Sequence, residues 1–243
     1  MESEHRFRGF TLIEVLVVVA VFAVLVGLLL PALAGTREAG RAAVCLSNLR
    51  QAFVACRVYA DEHRGFGPAI GQPYGAIPNW ALVVQSYSGR EGATPGELYS
   101  ATSALVCPTI ESHYRRGMTR TYAMNGTGHG GLGDLAGRRD PDNYDDPPPA
   151  PMARINFDAV VRGGETPVLM DSADASATTT GAPPPTRTAS VIDFRVYLHV
   201  EERLGRFHGG RAPESGSKFQ WSAFDGSAKA GGVVRPFWSE PLP

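Results

Sequence analysis

Between Phe10 and Leu30 the chain carries 21 residues in which Thr11 and Glu14 are the only polar side chains. As an α-helix that run is roughly 30 Å long, the thickness of a bilayer's hydrocarbon core. The stretch that follows, REAGRAAVCLSNLRQAFVACRVYADEHRG from Arg37, places apolar residues at Ala42, Leu46, Leu49, Phe53 and Ala60, and near Val54 and Val58. That is a helical period with charges on the other face. A single helix is therefore expected from about Phe10 to His63, its inner half suited to lipid and its outer half to packing on a globular domain. Pro31 lies inside it, where the missing N–H removes a backbone hydrogen bond and predicts a kink.

Glu14 is the residue that needs a reason. A carboxylate within a membrane helix costs about 2.5–3.5 kcal/mol on insertion scales. Neither a cleaved secretory signal nor a plain signal anchor supplies one, although Arg6, Arg8 and the small-x-small sequence Ala32 to Ala34 have the form of a signal peptide. A cut between Gly9 and Phe10 would create a cationic amine four residues before Glu14, and in a bundle the amine of one subunit can meet the carboxylate of another. On that reading Glu14 is an assembly determinant.

The residues RGFTLIEVLVVVAVFAVLVGLLLPAL resemble the prepilin N-terminus of type IV pilins and type II secretion pseudopilins. In those proteins a short charged leader ends in Gly, the mature chain starts with Phe, and Glu is its fifth residue; here these are Gly9, Phe10 and Glu14. Pro31, the twenty-second residue from Phe10, matches the family's helix-kinking proline. The resemblance implies cleavage after Gly9 and N-methylation of Phe10 by a prepilin peptidase. It further implies assembly with other pilin-like subunits on an inner-membrane platform, and a function needing no catalytic residue of the chain's own. Arg6 and Arg8 before the span are balanced by Arg37 and Arg41 after it, so charge leaves orientation open. The resemblance implies a leader in the bacterial cytoplasm, a single pass through the inner membrane, and a head outside it or on a surface filament.

Further along, CLSNLRQAFVACRVYADEHRGFGP, NWALVVQSY, LVCPT, TYAMNG, TPVLMDSAD, RFHGG and WSAFDGSA resemble, in order, a bacterial prepilin-like family with an H-x9-DG signature. Here His208 and Asp225-Gly226 are separated by sixteen residues, so the signature is stretched by an insertion around RAPESGSK. Read from the residues, KFQWSAF, DG and SAKAGGVV form a hairpin signal, with Asp225-Gly226 in a turn that needs positive φ. Pro167 to Ser172 suits a buried strand, and Ala104 to Pro108 is a second candidate. The expected fold is α+β and pilin-like: a long N-terminal helix packed on a small antiparallel sheet with long loops. The expected organisation is leader 1–9, transmembrane helix 10–34, outer helix 35–65 and head 66–243.

The 243 residues bear a net charge of −1, which gives no field favouring nucleic acid. With 28 glycines and 19 prolines the head should be rich in turns, and 137–151 and 174–190 read as exposed Pro-rich loops. Asp140, Asp142, Asp145 and Asp146 offer oxygen ligands for Ca²⁺ but lack the Gly and terminal Glu of an EF-hand, so a solvated loop is expected and no cofactor. The Gly126–Gly131 sequence GTGHGG lacks the strand and helix of a dinucleotide site. Six histidines show no close metal-ligand spacing, and no nucleophile elbow is present, so no enzyme is expected. Cys45 and Cys56 are about 16 Å apart along one helix, beyond the roughly 4.4–6.8 Å a disulfide spans, so Cys107 pairs with one of them or all three are thiols. Family landmarks at Cys45 and Cys107 imply that pair. The rival function is a secreted soluble binding domain released by signal peptidase after Ala34.

Overall fold

The computed structural model describes residues 11–70, 79–88, 104–114, 118–128, 154–173, 188–189, 191–195, 197, 199–208 and 218–243. It divides into two compact units, Met1–Gly40 and Arg41–Pro243. Helix α1, Leu12–Glu62, passes from one to the other and continues through Pro31. These bounds lie within the Phe10–His63 span expected.

Among the described residues the first unit is α1 as far as Gly40, most of it apolar. From Leu12 to Leu33 its described large side chains, Leu16, Val17, Phe22 and Leu29 among them, are exposed. No face of this segment is polar, which suits a lipid environment and no aqueous one.

In the second unit α1 turns amphipathic. Cys45, Leu49, Ala52, Phe53, Cys56 and Ala60 form a buried stripe, while Val54 and Val58 face outward and Ala42 and Leu46 are only half-buried. The expected stripe was therefore rotated, because the cysteines and small alanines, which pack as core residues, carry the period. The helix stops where Arg64 and Gly65 adopt φ of 60° and 85° and the Gly65 N–H donates to Ala60 O at 2.9 Å.

Two short helices follow. Helix α2, Trp80–Tyr87, is N-capped by Asn79, whose side chain accepts from the Leu82 N–H at 2.9 Å. Helix α3, Pro108–Tyr114, begins with a proline at a position whose N–H has no helical partner to lose. The strand considered for Ala104 to Pro108 is thus absent: residues 104–105 form a turn, and Pro108 opens a helix.

Five strands, β1 Tyr122–Asn125, β2 Pro167–Asp171, β3 Val191–Ile192, β4 Phe219–Ala223 and β5 Ala228–Gly231, form one sheet in the order β3-β1-β2-β4-β5. The β1/β2, β2/β4 and β4/β5 pairs are antiparallel, but β3 runs parallel to β1. The sheet is mixed where an antiparallel one was expected. The chain leaving β2 passes to the far side of β1, and so arrives running with β1 instead of against it.

One sheet face packs on α1: Tyr122, Met124 and Leu169 join Cys45, Leu49, Phe53 and Cys56 in a single core. The other face, Ala123, Met170, Ile192, Phe219 and Trp221, is covered by Phe194, Leu204 and Trp238. Trp238 stays buried because its indole N–H donates to Glu165 O at 2.8 Å. Burial on both faces explains why β1, β2 and β4 read as unbroken buried runs and not as alternating ones.

Candidate functional site

At the start of α1, Thr11 and Glu14 grip each other. Glu14 Oε2 accepts from the Thr11 N–H and from Thr11 Oγ1, both at 2.8 Å, and Thr11 Oγ1 accepts from the Glu14 N–H at 3.3 Å. This is a reciprocal capping box, in which a Thr and a Glu three residues on satisfy N–H groups that the helix leaves open. The T-x-x-E spacing was visible in the sequence, and the expectation of an intersubunit role passed over it. Both residues are exposed, so the carboxylate remains accessible to a partner. Gly9 and Phe10 lie outside the described residues.

A second constellation lies inside the head. Cys45 of α1 and Cys107, just before α3, are joined by a disulfide, and Cys56 is a buried free thiol. Burial pushes the Cys56 thiol well above the ordinary thiol range, which keeps it protonated and unreactive. Cys107 is positioned by its N–H, which donates to Thr121 Oγ1 at 2.6 Å, and by Asn48 of α1, which donates to Val106 O at 2.8 Å. Tyr122 donates its hydroxyl to Cys45 O at 3.1 Å.

Against this disulfide sits His208, with Nε2 3.6 Å from Cys107 Sγ and 3.2 Å from Asp171 Oδ2. Both side chains are buried, at 4% and 0% exposure. Cys107 Sγ and Asp171 Oδ2 both face Nε2, whereas Nδ1 has no hydrogen-bond partner among the described residues. Asp171 closes β2, and its Oδ2 also accepts from the Gln220 N–H at 2.6 Å. Its pKa is raised above the ordinary aspartate range because burial outweighs the stabilisation from His208 and the Gln220 N–H. In an open cleft a carboxylate, an imidazole and a sulfur in this order would activate a thiol; here every member is buried.

The stretched signature resolves into two separate features. Backbone bonds His208 N to Lys218 O (2.9 Å) and Lys218 N to His208 O (2.6 Å) pinch the insertion at its base. His208 is thereby held just ahead of β4. Asp225 and Gly226 lie beyond the other end of β4, in the turn to β5, where Asp225 Oδ1 accepts from the Ser227 N–H (2.9 Å) and hydroxyl (2.6 Å). Those bonds lower the Asp225 pKa. Gly226 alone takes positive φ, at 83°. The expected hairpin is therefore present, with the left-handed residue at Gly226 and not at Asp225. The Asp140–Asp146 loop considered for Ca²⁺ lies outside the described residues.

Residues 5–30 match the family model described as the prokaryotic N-terminal methylation motif. The N-terminus is prepilin-like. The matched residues take in Gly9, Phe10, Thr11 and Glu14 and most of the exposed apolar segment. A prepilin-like N-terminus leading into a long apolar helix fits a single-pass, membrane-anchored protein. Comparison with curated proteins and with solved structures gives no match. The motif implies in general terms a prepilin peptidase and other pilin-like subunits as partners.

Proposed function

We propose that the chain is a non-enzymatic, membrane-anchored pilin-like or pseudopilin subunit. A prepilin peptidase cuts it after Gly9 and methylates Phe10, and its apolar helix then assembles with like helices on an inner-membrane platform, as a type IV pilus or a type II secretion pseudopilus. The head, outside the membrane, is carried on the outer half of α1. The observation that supports this reading is the continuity of α1: the methylation motif runs into an exposed apolar helix whose later turns are built into the core of the head. That arrangement ties a membrane segment to a folded domain through one continuous helix.

Glu14 has two uses in sequence. In the lone chain its carboxylate closes the capping box with Thr11. In the assembled state it meets the Phe10 amine of a neighbour, a charge pair that offsets the cost of a carboxylate in lipid. The work is done by binding, and it calls for no cofactor.

Mass spectrometry of the mature N-terminus from the native host tests the proposal. A peptide beginning at methylated Phe10 is expected. A peptide beginning at Gly35 would mean that the apolar segment is discarded, which would leave the secreted binding domain in its place.

A further inference from the structure

We propose that in the dithiol form of the chain Cys45, Cys107, His208 and Asp171 hold one zinc-class divalent ion inside the head. One sulfur of each cysteine and one ring nitrogen of His208 lie within 4.8 Å of one another. Zinc bonds of about 2.0–2.3 Å place tetrahedral donors about 3.3–3.8 Å apart. The His208 Nε2 distances, 3.6 Å to Cys107 Sγ and 3.2 Å to Asp171 Oδ2, are already near that spacing. The two sulfurs, being bonded, must separate, and the Asp171 carboxylate, which touches His208 but lies outside the group of three donors, must close on the ion as the fourth ligand.

A second observation points the same way. Asp171 Oδ1 is buried and has no hydrogen-bond partner among the described residues, although Oδ2 is held by Gln220 and His208. A buried carboxylate oxygen left in this way is costly unless a cation takes it. The donor set is soft enough to favour zinc over magnesium or calcium: two thiolates, one imidazole and one carboxylate. The Gln220 N–H bond to the carboxylate and the Tyr122 bond to the Cys45 carbonyl would serve as outer supports.

Metal and disulfide exclude each other. Metal binding takes both sulfurs as thiolates and releases two protons. Disulfide formation removes two electrons and two protons to an external disulfide, which leaves as a dithiol. Either occupant ties α1 to the segment before α3, so the head has its crosslink before and after oxidation. The four donors come from α1, the lead into α3, β2 and the lead into β4, so no linear spacing announces them.

The test uses the full chain in detergent micelles, reduced without oxygen by a water-soluble phosphine, which takes the oxygen of water as the disulfide becomes two thiols. Cobalt(II) is titrated as a spectroscopic stand-in, then displaced by zinc against a chromophoric chelator. The expected result is one ion per chain, with the absorption of a tetrahedral, two-thiolate site. Cys107→Ser and Cys45→Ser should each weaken binding at least about 100-fold, and His208→Gln about 10–100-fold or more. Cys56→Ser should leave binding unchanged. Tryptophan fluorescence is followed throughout: a dithiol chain that unfolds and is refolded by the ion supports the site. A chain that cobalt neither colours nor refolds overturns it, as does binding that requires Cys56 and not Cys107.

Discussion

Loss of the Cys45–Cys107 crosslink should be the most damaging conservative change to the head. The two residues are 62 positions apart, so the bond restricts a long loop of the unfolded chain. In the chain-entropy treatment a loop of that length is worth about 4 kcal/mol at 25 °C, a large part of the 5–15 kcal/mol by which domains are stable. The double variant Cys45→Ala/Cys107→Ala removes the bond and also the means of binding a metal in its place. Urea unfolding of the full chain in micelles reads the effect through Trp80, Trp221 and Trp238, all buried in the head. With a slope of about 2 kcal/mol per molar urea, the midpoint should fall by about 2 M, and the slope should rise because the uncrosslinked chain exposes more surface. A loss below about 1 kcal/mol with an unchanged slope would refute the reasoning. It would mean that the loop is already restricted without the bond.

Asp171→Asn removes a buried carboxylate whose folded pKa is raised. A raised carboxylate binds its proton more tightly when folded, so the wild type gains stability relative to the variant as pH falls from neutral through the folded pKa towards the unfolded one. His208 and Tyr122, which act on the same carboxylate, are retained in both proteins, and urea midpoints across that range check the sign. Gly226→Ala should destabilise the head by about 1–2 kcal/mol. The residue has φ of 83°, and an added Cβ would sit 3.2 Å from Phe53 Cε1; thermal unfolding of the two proteins measures the difference. Thr11→Val should weaken the start of α1 by about 1 kcal/mol yet preserve assembly, whereas Glu14→Leu should abolish it. Filament or pseudopilus yield in the host decides, and equal losses would show that Glu14 acts only as a cap.

The local features of this protein were legible because local chemistry makes them. The apolar run from Phe10 sets a membrane-length helix, T-x-x-E at Thr11 to Glu14 sets its cap, and Asp225-Gly226 sets a turn, since each depends on residues within a few positions of one another. Apolar composition likewise marked β2, and the long helix on a sheet followed from its amphipathic outer half. Ala104 to Pro108 misled for the same reason, as a buried apolar run reads as a strand until Pro108 is seen to open α3. Tertiary structure decided what depends on distant pairing. The parallel run of β3 beside β1 is fixed by where the chain crosses the sheet, and the rotation of the α1 stripe by which residues the sheet accepts. The Asp171–His208 pair against the disulfide belongs to a cluster whose members lie up to 163 positions apart (Cys45 to His208), and only the packing of four elements into one core brings such groups together.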